Sequence, residues 1–137
     1  MTTIAKRFSL PLDDDLALAA RIESGLPAST ITQMRKLFSF PSISSVAALI
    51  GMSAKTAERR VANRAVLARD ESERMVRLIR VYHQAVETLE SEENARKWLM
   101  KPLAIFNGKS PTEMIVTEPG ARAVEQALGR IEHGVFG

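Results

Sequence analysis

The sequence predicts an all-α chain, a helix-turn-helix region followed by a small helical region. Three observations carry this. Aromatics make up only 5% of the 137 residues while alanine and leucine are plentiful, a mixture that favours helices. Apolar residues recur at spacings of three and four, most clearly at Met75, Leu78, Ile79, Tyr82, Val86 and Leu89, as on one face of a helix. No stretch shows the sustained two-residue alternation of Val, Ile and Thr that marks strands.

The helices follow in order. Asp13, Asp14 and Asp15 place negative charge where a helix N-terminus favours it, ahead of Leu16, Leu18, Ala19 and Ile22. Gly25 and Pro27 close that segment. Ser29 or Thr30 is placed to cap a short helix carrying Ile31, Met34, Leu37 and Phe38, which Pro41 interrupts. Ser42 to Asn63 reads as two short helices around Gly51. Asp70 with Glu73 three positions on is a capping-box-like start for the longest amphipathic helix, roughly 71–90. Its Arg74, Arg77 and Arg80 lie mostly off the apolar stripe. Ser91 and Glu92 restart a helix whose apolar side is Ala95, Trp98 and Leu99, with Trp98 expected in the core. Phe106-Asn107-Gly108 reads as a turn. Ser110-Pro111-Thr112-Glu113 offers a cap, a proline at the first helical position and a glutamate at the third. Thr117 opens the last helix, with Pro119 in its first turn and Ala123, Val124, Ala127, Leu128 and Ile131 on one face. The expected organisation is an N-terminal helical extension at 1–29, a helix-turn-helix domain with its long connecting helix at 30–90, and a C-terminal domain at 91–137.

Composition excludes several kinds of function. Without cysteine there is no disulfide framework, cysteine zinc site, iron–sulfur cluster or thiol catalysis; a reducing, intracellular home fits. His83 and His133 are too few for an expected transition-metal site. The apolar runs fall far short of the eighteen or so residues of a membrane span. Met1 to Leu10 has Lys6 and Arg7 but no apolar block behind them, so no signal peptide is expected. No nucleophile–base pair, glycine-rich phosphate loop or paired-carboxylate motif stands out. Ser110 and His133 share no spacing signature, and Asp13 to Asp15 reads as a helix start rather than a cation site. The expectation is a protein without catalysis, cofactor or metal.

The net charge of +3 is mild, but its distribution is not even. Between Lys55 and Arg69 stand Lys55, Arg59, Arg60, Arg64 and Arg69 against Glu58 alone, the place to look for a polyanion. This cluster coincides with the run from Ser45 to Val61. Gly51 is free to take positive φ at a sharp turn. Met52 is an apolar plug between two helices, Ser53 a cap for the second, Ala47 small where they cross. Val46, Ile50, Ala57 and Val61 face inward. Together these are the parts of a DNA-binding helix-turn-helix. An ordinary helical hairpin would account for the glycine but not for the plug, the cap and the one-sided basic helix. The second helix then presents Lys55, Thr56, Glu58, Arg59, Arg60, Asn63 and Arg64. In the expected division of roles Ser53 and Thr56 contact phosphates. Lys55, Arg59 and Arg60 read base edges, with arginine favouring guanine. Glu58 reads a cytosine or orients an arginine. Arg64 and Arg69 add backbone affinity.

DNA binding does not explain residues 91–137, which balance six basic against six acidic groups. Arg122, Arg130, Glu132 and His133 alternate with apolar residues up to Val135 and Phe136. Such a terminal helix either binds a partner or folds back on its own core, and the pattern leaves both open.

Two stretches resemble a known family, the Xre antitoxins of RES–Xre toxin–antitoxin systems, also described as the MbcA/ParS/Xre group. The first is Gly51-Met52-Ser53-Ala54-Lys55-Thr56-Ala57-Glu58-Arg59-Arg60 with Glu71-Ser72-Glu73-Arg74-Met75-Val76-Arg77-Leu78-Ile79-Arg80-Val81. The second, and more specific, runs from Ala95 and Trp98-Leu99 through Phe106-Asn107-Gly108-Lys109-Ser110-Pro111 and Thr117-Glu118-Pro119-Gly120-Ala121 to Val124-Glu125 and Leu128-Gly129-Arg130-Ile131-Glu132-His133-Gly134. The resemblance covers about residues 30–137. It implies a helical DNA-binding region joined to a helical toxin-binding region. It implies a cytoplasmic protein that neutralises a cognate, NAD-consuming RES-domain toxin by covering its active site and that represses their shared operon. The blocking elements would be the turn Gly108-Lys109-Ser110-Pro111 and the helix from Ala121 to Phe136. The residues to contact the toxin would be Lys109, Ser110, Arg122, Glu125, Arg130, Glu132, His133 and Phe136. One departure is Asn107-Gly108 where many relatives have two glycines; asparagine tolerates left-handed φ, so the turn survives. Palindromic operators and dimeric readers imply a homodimer on double-stranded DNA, through the 71–90 helix or the N-terminal segment. The rival expectation is a stand-alone transcription regulator whose C-terminal region senses a small molecule.

Overall fold

The computed structural model describes residues 3–132. They form helices α1 (Thr3–Phe8), α2 (Asp15–Ser24), α3 (Ser29–Phe38), α4 (Ile43–Leu49), α5 (Ala54–Ala62), α6 (Arg69–Leu89), α7 (Glu92–Leu99), α8 (Pro111–Met114) and α9 (Glu118–Glu132), with a 3₁₀ turn at Ala104–Phe106. The chain divides into two compact units, residues 1–76 and 77–137, the divide falling inside α6.

Four of the helices begin at a residue whose side chain caps them. Asp14 caps α2, its Oδ1 accepting from the Ala17 amide at 3.1 Å. Ser53 and Ser91 do the same for α5 and α7. Ser110 and Glu113 complete a reciprocal capping box on α8 with Pro111 at its start, satisfying two otherwise orphaned amides. Two expected starts differ. Neither Ser29 nor Thr30 caps α3: the cap position is Ala28, without a side-chain bond, and Thr30 is buried. The Asp70–Glu73 pair does not open α6 either. The helix begins at Arg69, two residues before the expected start, and Glu71 Oε1 accepts the Ala68 amide at 2.8 Å, half a capping box two residues out of the expected register. Helix α1, for which the sequence showed no cap or period, buries Ile4, Ala5 and Phe8.

In the first unit Leu18, Leu26, Ile31, Met34, Phe38, Val46, Ile50, Leu67 and Met75 are buried. A backbone clip closes it. Leu67 donates to the Leu26 carbonyl at 2.8 Å and Ala28 to the Ala65 carbonyl at 2.9 Å. The buried Ser72 hydroxyl accepts the Leu26 amide at 3.0 Å and donates to the Leu67 carbonyl at 3.4 Å. The α2–α3 loop is thereby tied to the start of α6.

In the second unit Leu78, Ile79, Tyr82, Leu99, Phe106, Ile115, Val124 and Leu128 are buried. Trp98, expected in the core, is only partly buried. Burial and a 2.6 Å hydrogen bond to Glu92 Oε1 hold the Tyr82 hydroxyl protonated, its pKa pushed well above the usual tyrosine range. Gly120 in the first turn of α9 lies so close to the α8 end that a Cβ there would stand 1.8 Å from the Met114 carbonyl oxygen.

Candidate functional site

Helices α4 and α5 meet at a sharp turn. Gly51 has φ 64°, the left-handed conformation that favours glycine. The Met52 amide donates to the Ala47 carbonyl at 2.9 Å. Met52 is buried, as are Val46, Ala47, Ile50 and Ala57; Val61 is partly buried. From α6 the Arg74 guanidinium donates to the Ile50 carbonyl at 3.2 Å. That carbonyl stands at the end of α4, so a long side chain locks the turn from outside.

The face of α5 that remains open carries Lys55, Glu58, Arg59 and, past its end, Asn63 and Arg64. All five are exposed and in no ion pair among the described residues. Thr56 is partly buried. Ser53 Oγ accepts the Thr56 amide at 3.1 Å and lies 2.8 Å from Thr56 Oγ1, to which it donates. The Ser53 proton is therefore used inside the cap, whereas the Thr56 hydroxyl keeps its own. Arg60 is placed differently from Lys55 and Arg59. Its Nε lies 3.0 Å from Glu71 Oε1 and its NH2 donates to Glu71 Oε2 at 3.1 Å, with the side chains 28% and 12% exposed. Arg69, farther along, pairs with Glu23 in the open at 3.3 Å.

The C-terminal candidates also separate. Between α7 and α8 the chain makes a tight turn closed by its own backbone. Leu103 donates to the Lys109 carbonyl at 3.1 Å and Gly108 to the Leu103 carbonyl at 2.9 Å. Asn107 (φ 56°) and Gly108 (φ 85°) are both left-handed, so asparagine does serve where left-handed φ is needed. This turn holds Lys109 exposed, while Ser110 is buried in its capping box. Hydrogen bonds from the Ser110 backbone amide, then its hydroxyl, hold the Glu113 carboxyl below its usual pKa.

Helix α9 buries Gly120, Ala121, Val124, Ala127 and Leu128, so its apolar face does fold back. Its charges are sorted by face. Arg77 donates to Glu118 Oε2 at 3.1 Å and to the Ile115 and Val116 carbonyls. Arg80 donates to Glu125 Oε1 at 3.1 Å, and Gln84 to the Glu125 carbonyl at 3.2 Å. Both acids are thus engaged from α6. Arg122, Arg130 and Glu132 stay exposed, Arg122 only 3.9 Å from Glu118. His133 and Phe136 lie outside the described residues. The arginines of α6 were legible as charges off the apolar stripe; their carboxylate partners, some forty residues on, were not.

A helix-turn-helix with an exposed basic second helix, followed by a small helical unit, defines a two-part all-α protein of the helix-turn-helix class. Two family models match it. Residues 17–80 match the antitoxin Xre-like helix-turn-helix domain and residues 84–134 the antitoxin Xre/MbcA/ParS C-terminal toxin-binding domain. The chain belongs to the Xre/MbcA/ParS antitoxin family. The first match begins within α2, which the resemblance read from the sequence did not reach. The chain is similar to an antitoxin Xre of Photorhabdus laumondii, 29% identical over 86% of this chain and 80% of that protein. It is also similar to an antitoxin Xre of Yersinia enterocolitica, 29% identical over 96% and 88%. In fold it matches a chain of the crystal structure of the M. tuberculosis MbcT–MbcA toxin–antitoxin complex (TM-score 0.59, 20% identity, 80% of this chain and 96% of that one).

Proposed function

We propose that this chain neutralises a cognate RES-domain toxin, an NAD-consuming enzyme, by covering its active site with the C-terminal region, and that it binds operator DNA to repress the operon encoding both. The observation that carries the reading is the pairing of a toxin-binding-domain match at residues 84–134 with a helix-turn-helix match at 17–80 in one chain. The chain acts by binding, in the cytoplasm, and needs no cofactor.

On the DNA side, Lys55 and Arg59 are the base readers, since both are exposed and unpaired among the described residues. Thr56, Asn63 and Arg64 serve the phosphates, and Glu58 sits at the edge of the reading face. Arg60 braces α5. The operator is double-stranded and palindromic and the reader a homodimer. Seven apolar or aromatic residues of α6, Met75 to Ala85, are already buried within the single chain. The dimer contact therefore falls to the N-terminal helices, where Leu16 is 86% exposed. On the toxin side, residues 91–137 form the blocking region, with Lys109, Arg122, Arg130 and Glu132 facing outward and His133 and Phe136 beyond.

The test is co-expression. The RES-domain protein encoded beside this chain, expressed alone, should arrest growth and deplete cellular NAD, and the full chain should restore both. A gel shift on the operon's promoter should show a complex that weakens steeply with salt. Growth arrest undiminished by the chain would sink the toxin half of the reading. A promoter that is never shifted would sink the DNA half.

A further inference from the structure

Residues 91–137 carry no net charge, yet the second unit does not present a neutral surface. A groove of about 410 Å³ opens between the 3₁₀ turn and α9, lined chiefly by Ile105, Phe106, Lys109, Met114, Gln126 and Arg130. No acidic residue lines it. Two of the three acids of α9 are occupied elsewhere, Glu118 by Arg77 and Glu125 by Arg80; the third, Glu132, is exposed at the helix end and is not part of the lining. Glu113, four residues after Lys109, spends Oε1 on the Ser110 amide at 2.9 Å and lines an adjoining hollow that shares Lys109 and Met114 with the groove. Its carboxylate feels the Lys109 charge only as the weakest of its influences. Lys109 and Arg130 are exposed and in no ion pair among the described residues. In the same lining Ile105 is 60% exposed on a turn closed by its own backbone bonds. An exposed branched side chain on a closed turn, beside two unpaired cations, is an anchor arrangement: an apolar contact flanked by charge that selects its complement.

Resting on the toxin-binding reading above, we propose that this groove is where the toxin is anchored, and that the toxin seats in it an acidic side chain with an apolar side chain beside it. The carboxylate lies between Lys109 and Arg130, and the apolar neighbour packs on Ile105 and Met114. Engaging Glu118 and Glu125 from α6 leaves Lys109 and Arg130 as the charges of the groove lining. The charges flanking the groove then steer association as well as hold the complex, so the toxin affinity falls as salt rises.

The test is the affinity of the full chain for the purified RES-domain toxin, whose active site is disabled so that it can be produced. Lys109→Glu with Arg130→Glu should weaken binding at least a hundredfold and reverse the salt dependence. Ile105→Glu should weaken it at least tenfold. Lys36→Glu on α3, exposed and outside residues 91–137, should stay within twofold. All these positions are exposed, and unchanged helicity confirms folding. Charge reversal of the seated acid on the toxin should restore binding to the Lys109→Glu, Arg130→Glu chain. Variants that bind as tightly as the wild type would overturn the inference while leaving the toxin reading intact. A wild-type chain that binds no toxin would overturn both. Full toxin affinity in the groove variants together with loss of a bound small metabolite would reassign the groove to a ligand.

Discussion

Arg60 and Glu71 form an ion pair with one hydrogen bond, from NH2 to Oε2 at 3.1 Å, while Nε lies 3.0 Å from Oε1 without donating to it. Glu71 also accepts the Ala68 amide at 2.8 Å. One carboxylate thus fixes the side of α5, the second helix of the helix-turn-helix, and the start of α6 together. Removing either partner strands the other in a half-buried position, so Arg60→Ala and Glu71→Ala should each lower unfolding free energy by about 1–3 kcal/mol. The double variant should fall short of their sum. Neither should change which base is preferred in a promoter-selection assay. Arg59→Ala, by contrast, should relax preference at one base pair by about 1–3 kcal/mol. A change in base preference with Arg60→Ala would show that the ion pair opens on DNA.

Ser53 and Thr56 face the same helix end with different duties. The Ser53 hydroxyl both accepts the Thr56 amide and donates to Thr56 Oγ1. Ser53→Ala should therefore act on stability, costing about 0.5–2 kcal/mol as a lost cap. Thr56→Val keeps the shape and the cap but removes the free proton. It should weaken DNA binding about equally on operator and unrelated sequence, as loss of a phosphate contact does. Thermal melts and competition gel shifts on the two variants separate these effects.

What the sequence made legible was local. Caps at Asp14, Ser53, Ser91 and Ser110 act on amides three residues away, so composition and position suffice to find them. The turn at Gly51 and the Asn107-Gly108 pair were legible for the same reason. The start of α6 was misread because two acids, Glu71 and Glu73, both fit a cap from the sequence, and only the packing of Arg60 selects Glu71. The Ser72 clip to Leu26 spans 46 residues, and the Arg77 and Arg80 pairs span about as many. No local period encodes such partners. Arg60 and Arg59 are neighbours of identical chemistry, and only the fold assigns one to a brace and the other to the open face.

Two glycines invite the same substitution with different results. At Gly51 a Cβ would meet only the flexible Arg74 side chain at 3.5 Å. Gly51→Ala should thus cost only the backbone term, about 1–2 kcal/mol for a left-handed residue, and Gly51→Asn less. At Gly120 the backbone angle is ordinary, but the Cβ would stand 1.8 Å from the Met114 carbonyl. Backbone must move, so Gly120→Ala should cost at least the about 1–3 kcal/mol typical of overpacking. Denaturant titration of the two variants should rank Gly120→Ala as the worse, and toxin affinity should fall with it alone.

The capping box on α8 gives the second unit an acid-sensitive element next to Lys109. The Ser110 amide, foremost, holds the Glu113 carboxyl below its ordinary value of 4.5. A carboxylate with a depressed native pKa binds its proton more readily in the unfolded chain. It therefore adds stability above about pH 4.5, and that stability is lost as pH falls through the lower native value. Glu113→Gln can still accept the Ser110 amide but cannot titrate. The melting temperature of the wild type should drop more steeply than that of Glu113→Gln between pH 5 and pH 3, and the two curves should run parallel from pH 6 to pH 8. Parallel curves across the whole range would mean that the Ser110–Glu113 box forms equally well with the protonated acid.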